Sequence, residues 1–415
     1  MKLEKFNPQN FYLVVLTLFP LSFILGSFSL NLIILIIAFY CFYDFKKINL
    51  TNRAYLSIAA LIIFISFNSF FSFNSIYSLS KGISYLRYIF FLFGLTIILS
   101  HIEFQKIKTL LKLYFLLISF IMFDIWFEFI FGKDIFGNNF GSSYNRISGP
   151  FGDELIVGFF LFYFSIVTYS IFIKFFKVKL IYHYFFFVLL IYTLYLTGER
   201  NAFFSSLIFV TILLFFASGF RKIFFLVLLT IFIMFSLSNK YNVVGNKYEL
   251  NSINIVNEKN FSNDKEKFSE NYLKKSKFIL SHNQWFKHYL SAYELFKTSP
   301  YLGTGFKTFR NVCLQNEMSK KHLCSSHPHN IYFEALSDLG LIGFMIFILI
   351  FLIPFKKIFI RKFTFDVSDK IILVLFFTYI FPFKPHGSLF TTTFATMLWF
   401  IYAFCISTFN KKKIL

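Results

Sequence analysis

Residues 157–173 read VGFFLFYFSIVTYSIFI, residues 180–196 read LIYHYFFFVLLIYTLYL and residues 202–216 read AFFSSLIFVTILLFF, joined only by KFFKVK and TGERN. Each run is apolar on every side of a 3.6-residue helix rather than along one stripe, and none alternates as barrel strands do. Backbone groups in lipid must find their partners inside the segment, so the runs read as membrane-spanning α-helices. The three runs lie in spans read over 151–173, 180–197 and 201–218, and the same pattern recurs on both sides, at 11–26, 28–44, 54–72, 83–100 and 107–131 upstream and at 222–238, 330–354, 370–383 and 387–409 downstream. The expected fold is therefore an all-α integral membrane protein with about twelve transmembrane helices.

Composition agrees. Of 415 residues 57% are hydrophobic and 15% charged, with Phe 70 among them, and mean hydropathy is +0.65. Average proteins lie near 45–50% and about 25%, so soluble, collagen-like, disordered and disulfide-scaffold classes are excluded. A net charge of +21 would point a soluble protein toward nucleic acid. Here the basic residues gather in alternate loops, at Lys46, Lys47 and Arg53, at Lys174, Lys177 and Lys179, and at Lys356, Lys357, Arg361 and Lys362. That is the cytoplasmic excess of a membrane protein whose N-terminus is inside, and no nucleic-acid partner is expected. The first run lacks a small-residue cleavage site and reads as a span, not a signal peptide.

Three parts follow: an N-terminal bundle of about nine spans over 1–238, an outer loop over 239–328 between spans nine and ten, and a C-terminal segment of about three spans over 329–415. The first half of the loop, 239–277, is rich in Asn, Lys, Ser and Glu and reads as an irregular cover. From His282 to Lys297, Trp285, Phe286, Tyr289, Tyr293 and Phe296 recur at helical spacing, an amphipathic helix for the membrane surface or the mouth of the bundle.

The few charges within or beside spans all fall toward the outer side: Arg87, Asp124 with Glu128 one turn on, Asp153 and Glu154, and Glu199 with Arg200. Such groups are costly in lipid and are usually paired or functional. They read either as helix-locking pairs, Arg87 with Asp124 for instance, or as a polar cavity opening at headgroup level. Transporters set charges near the midplane on broken, repeated helices, and channels need filters or charged rings; neither pattern is present. Gly303-Thr304-Gly305 is not a nucleotide loop, since no strand-turn-helix surrounds it. Asp366 and Asp369 read as solvated loop charges.

The densest cluster is Cys313, His322, Cys324, His327 and His329. Its spacing allows zinc, whereas in an oxidising outer compartment Cys313 and Cys324 would pair as a disulfide. His329, beside Asn330 at a helix start, can act as general base, metal ligand or hydrogen-bonding partner. Neutral imidazole suits activation of a sugar hydroxyl near pH 7, and Arg suits a diphosphate leaving group where no metal is used.

Ser326-His327-Pro328-His329-Asn330-Ile331-Tyr332-Phe333-Glu334-Ala335-Leu336-Ser337-Asp338-Leu339-Gly340-Leu341-Ile342-Gly343 resembles the His-Asn-x-x-Leu…Glu-x-Gly-x-x-Gly signature of the O-antigen ligase and polymerase superfamily. Pro300-Tyr301-Leu302-Gly303-Thr304-Gly305-Phe306 and onward to Arg310 is similar to that family's Pro-x-x-Gly-x-Gly-x-x-x-Phe element. Thr197-Gly198-Glu199-Arg200-Asn201-Ala202 resembles its Ser-Arg-Gly/Asn-Ala turn, while the stretch from Arg146 to Glu154 and Phe381-Pro382-Phe383 fit less specifically. Asp338 stands where the family often has Glu, and Phe333 where Leu is usual.

The resemblance implies a membrane glycosyltransferase that takes a glycan from undecaprenyl diphosphate at the periplasmic face of the bacterial inner membrane, without metal or other cofactor. His329 would be the base, Arg200 would hold the diphosphate with Arg310 and Arg146 as further contacts, and Asn330, Asp338 and Arg87 would support them. The acceptor would be a lipid A core in a ligase or another lipid-linked repeat unit in a polymerase. A lipid-linked sugar transporter is a third reading, disfavoured by the outward bias of Arg87, Arg146, Arg200 and His329.

Overall fold

The computed structural model describes residues 7–43, 52–139, 146–240, 284–315, 324–356 and 366–407. The segment 239–277 lies almost wholly outside them. The described residues contain no strand. They form α1 (Pro8–Ile24), α2 (Ser27–Tyr43), α3 (Asn52–Phe70), α4 (Ser75–His101), α5 (Phe104–Phe131), α6 (Val157–Phe175), α7 (Leu180–Leu196), α8 (Arg200–Phe216), α9 (Arg221–Lys240), α10 (Gln284–Thr298), α11 (Phe309–Gln315), α12 (Ile331–Leu352), α13 (Val367–Tyr379) and α14 (Thr392–Ile406). A helix stands at every segment read as a span. By length and apolarity α4, α5, α6 and α12 are long enough to cross a membrane, and α1, α2, α7, α8, α14 and the Leu56–Phe70 part of α3 are shorter apolar helices.

The chain is a membrane protein built around α4 and α6. The first packs against α2, α3 and α14, the second against α5 and α13, and α12 lies between α3 and α10. The interior is aromatic: Phe19 stacks on Phe400 at 4.6 Å, and the buried Trp399 indole donates to the Tyr85 hydroxyl at 3.0 Å, because an indole N–H sealed from water needs an acceptor. Exposed Phe39, Leu116, Phe123, Phe215 and Phe232 cover the outside, as expected where lipid is the solvent.

Side-chain caps set several helix starts. Asn74 accepts from Tyr77 N at 3.1 Å at the head of α4, and Asp366 accepts from Ser368 N at 2.7 Å at the head of α13. The second cap corrects the expectation of solvated loop charges, and so does the ion pair of Asp369 with Lys174 at 3.2 Å. Further corrections concern boundaries. Because α4 starts at Ser75, Lys81 lies in a helix and Arg87 well along it. Because α6 starts only at Val157, Asp153 and Glu154 lie in the loop before it. Residues 381–391 are a non-helical strap between α13 and α14, where two nearly continuous spans were expected.

Candidate functional site

The site is assembled where two glycine-bearing segments lock together. α12 is broken at Gly340, whose φ is 64° and ψ is −169°. The segment from Pro300 enters that break. Thr304 N donates to Ser337 O and Gly305 N to Asp338 O, each at 2.9 Å, while Leu341 N donates to Pro300 O at 2.8 Å. A Cβ on Gly340 would meet Tyr301 O at 2.4 Å, and one on Gly303 would meet Gly340 N at 2.4 Å. Only glycine fits that backbone contact at positive φ. Asp338 then reaches across and accepts from Phe309 N at 2.8 Å, capping α11.

Nearly three turns before Gly340, the start of α12 is capped by Asn330, whose side chain accepts from Tyr332 N at 3.0 Å and Phe333 N at 3.3 Å and donates to Pro382 O at 3.0 Å. His329 precedes this cap in the left-handed region, φ 57°, an uncommon conformation for a residue with a Cβ. Its carbonyl accepts from His386 N at 2.8 Å. Around its ring stand Trp285 at 4.8 Å, His288 at 5.0 Å and His327 at 4.2 Å, centroid to centroid. The helix expected over 282–297 is thus α10. It packs on the start of α12, with Tyr289 stacked on Phe333 at 5.1 Å. The Cys313–Cys324 disulfide is formed, Cα–Cα 5.7 Å, and ties α11 to the approach to His327.

Burial, then His327 and His288, push the His329 imidazole down to about 4. Burial likewise pushes His327 down to about 4, with Lys307 and His288 adding to it and the His386 carbonyl opposing it. Both rings are therefore neutral at pH 7. His329 remains half-buried rather than sealed, and a neutral imidazole has one ring nitrogen able to accept a proton.

The expected arginines divide. Arg200 is the first residue of α8 and exposed. Ile147 N donates to Thr197 O at 3.1 Å, which brings the backbone next to half-buried Arg146 alongside the turn leading to Arg200. Arg310 is exposed on α11. Arg87 stays apart on α4, its guanidinium 4.8 Å over the Tyr88 ring with Nη2 donating to the Tyr88 hydroxyl at 2.8 Å and Nε buried without a partner among the described residues. No ion pair joins Arg87 to Asp124 among the described residues. The acids bind backbone instead: Asp124 accepts from Ile135 N at 2.8 Å, Glu128 from Gly149 N at 2.7 Å, and Glu199 from Gly158 N at 2.8 Å and Phe159 N at 3.1 Å. They hold the connection between α5 and α6 and the first turn of α6, so the expected cavity of mixed charge is, at Asp124, Glu128 and Glu199, structural.

Sequence reading passed over the strap. Glu334 fixes it from α12, accepting from Leu389 N at 2.8 Å and from the Ser388 hydroxyl. The strap carries Lys384 and His386, and the available signal was Pro382 and Pro385 bracketing the only lysine of that outer turn. Among the described residues no three His, Cys, Asp or Glu side chains converge as metal ligands would, and the disulfide removes both thiols from the zinc alternative.

Residues 185–348 match the family model described as O-antigen ligase. That match covers about two fifths of the chain and supports a place for it in the O-antigen ligase superfamily. No curated protein matches it. The O-antigen ligase match encloses Arg200, Arg310, His329, Asn330 and Asp338, together with both segments of the glycine lock, and leaves Arg87, Arg146, Lys384 and His386 outside.

Proposed function

We propose that this protein transfers a glycan from undecaprenyl diphosphate to a hydroxyl of a lipid A core or similar acceptor at the periplasmic face of the inner membrane. The observation that carries the reading is His329: a neutral, accessible imidazole beside the lock, on a chain of this superfamily. In the proposed step a ring nitrogen of His329 takes the proton of the acceptor hydroxyl as that oxygen attacks the anomeric carbon. The bond from that carbon to the diphosphate oxygen breaks, and the diphosphate lipid leaves with the electron pair. The developing anion raises the imidazole's proton affinity as the proton arrives, so a low pKa in the empty site is compatible with the role. Arg200, with Arg146 on the segment bonded to its turn and Arg310 as a further contact, neutralises the leaving diphosphate. Asn330, Asp338 and Arg87 hold the frame.

The test is lipopolysaccharide gel profiling of a deletion strain complemented with wild type or with His329→Ala. Bare core, with polymer accumulating on the lipid carrier, is the expected ligase phenotype. Core bearing single repeat units identifies the polymerase of the same superfamily instead. Full complementation by His329→Ala would remove the base. Arg200→Lys is expected to lose transfer as well, because a point charge does not replace a planar two-donor fork on diphosphate.

A further inference from the structure

The strap over 381–391 reaches the two proposed halves of the site at once. On one side His386 N donates to His329 O at 2.8 Å, and His327 Nε2 lies 3.3 Å from His386 O. On the other side Asn201, next to Arg200, donates from Nδ2 to Pro385 O at 2.9 Å. Between these anchors Lys384 turns inward. Its Nζ donates to the Tyr163 hydroxyl at 2.8 Å and to Ser205 Oγ at 3.2 Å, and Ser205 in turn donates to Asn201 Oδ1 at 3.4 Å. The rings of Tyr163 and Tyr379 lie 5.5 and 5.8 Å from the ammonium. No carboxylate pairs with it among the described residues.

An ammonium held by two neutral hydroxyls and two ring faces is poorly compensated for the water it has lost. The next side chain but one, His386, is 6% exposed, and neither ring nitrogen has a hydrogen-bond partner among the described residues; the Tyr379 and Lys384 carbonyls lie near enough to favour its charged form, but burial and Lys384 outweigh them. Two donor-capable groups without an anion, beside the arginine-bearing turn and bonded to the histidine-bearing one, form an incomplete anion site.

Resting on the donor reading above, we infer that Lys384 is a binding residue for the diphosphate of the lipid-linked donor, completing with Arg200 a cationic clamp that the strap couples to His329. The third donor of the ammonium, unused in the described contacts, is the one offered to a phosphate oxygen. Burial pushes the Lys384 ammonium down to about 7. Free protein near neutral pH is then only partly charged at this position, and anion binding draws the proton on. The groups facing it are Tyr163 from α6, Tyr379 from α13, Ser205 from α8 and His386 from the strap. Of these, His386 is held well below its ordinary value, so it stays neutral across the range in which Lys384 titrates.

The experiment measures binding of undecaprenyl-diphospho-N-acetylglucosamine to the full chain in lipid nanodiscs from pH 6.5 to 8.5. In that probe both phosphates are substituted and carry fixed charge over this range. Wild-type affinity is expected to fall roughly 25-fold across the window, the ratio of charged fractions for a group titrating near 7. Lys384→Arg, permanently charged, should bind with a flat profile, and Lys384→Met should bind weakly at every pH. Equal thermal melting of the three proteins establishes folding, and if Lys384→Met fails that check the Lys384→Arg profile decides alone. Lys384→Met binding like wild type, or Lys384→Arg retaining the wild-type slope, overturns the inference while leaving the donor reading intact. Absence of binding by wild type at pH 6.5 overturns the donor reading, and this inference with it.

Discussion

His329 combines two properties that a variant can separate. Its backbone sits at φ 57°, where Asn is several-fold more at ease than most residues, and its ring faces Trp285, His288 and His327. His329→Asn should therefore keep the turn and melt within a few degrees of wild type, yet transfer should drop on the order of 100-fold or more, as removal of a positioned base does. Transfer near the wild-type rate in that variant would reduce the imidazole to a packing group. The same burial has a consequence for stability. His327 and His329 are held at about 4 in the fold, against an unfolded value near 6.5. Between these values the unfolded segment binds protons that the folded one does not, so stability increases with pH there and is lost as pH falls from about 6.5 toward about 4. Hydrogen exchange over 324–334, corrected for intrinsic rates, should quicken relative to the α6 amides when pH is lowered from 7 to 5. Equal protection at both values would contradict the depressed imidazoles.

At the scale of elements, the lock between the Pro300 segment and the break in α12 is the most exacting contact described. Gly340→Ala would place a Cβ 2.4 Å from Tyr301 O at φ 64°. Backbone, not a flexible side chain, must yield, and a loss of about 2–4 kcal/mol is expected, read as a lower melting temperature and reduced transfer together. Gly26, also at positive φ but with open space around its Cβ position, should cost less when changed to Ala, which separates the clash from conformational strain. Both lock segments stood out in the sequence only as stretches resembling family motifs; that they interlock through backbone contacts at Gly303 and Gly340 was not legible, because those contacts join residues far apart in the chain. The disulfide was legible from compartment and the amphipathic helix from aromatic spacing. The strap was not. Residues 387–391 continue an apolar run into α14, and periodicity cannot distinguish the head of a helix from an extended segment pinned by Glu334 on another element. The acids misled for a related reason: sequence shows that Asp124 and Glu128 share a helix face, but the backbone amides of Ile135 and Gly149 that they bind come from a loop with no pattern of its own.

For the whole molecule, the alternating basic loops and the placement of the site make a joint claim about sidedness. Arg200, His329 and the strap are brought together by contacts on one side of the bundle, while Lys174 and Asp369 pair at the opposite ends of α6 and α13. α6 begins near the site and ends at that pair, so the bundle has two chemically distinct mouths. If the basic loops face the cytoplasm, the site faces the periplasm, as a donor lipid with its head outside requires. Alkaline phosphatase fused after residue 265 should be active and fused after residue 362 inactive, since the enzyme folds only where disulfides form. A fusion after residue 177, in the loop bearing Lys174, Lys177 and Lys179, should also be inactive. Activity at 177 or 362 together with silence at 265 would invert the bundle and place His329 on the cytoplasmic side, where the Cys313–Cys324 bridge would not be maintained and the proposed periplasmic transfer could not occur.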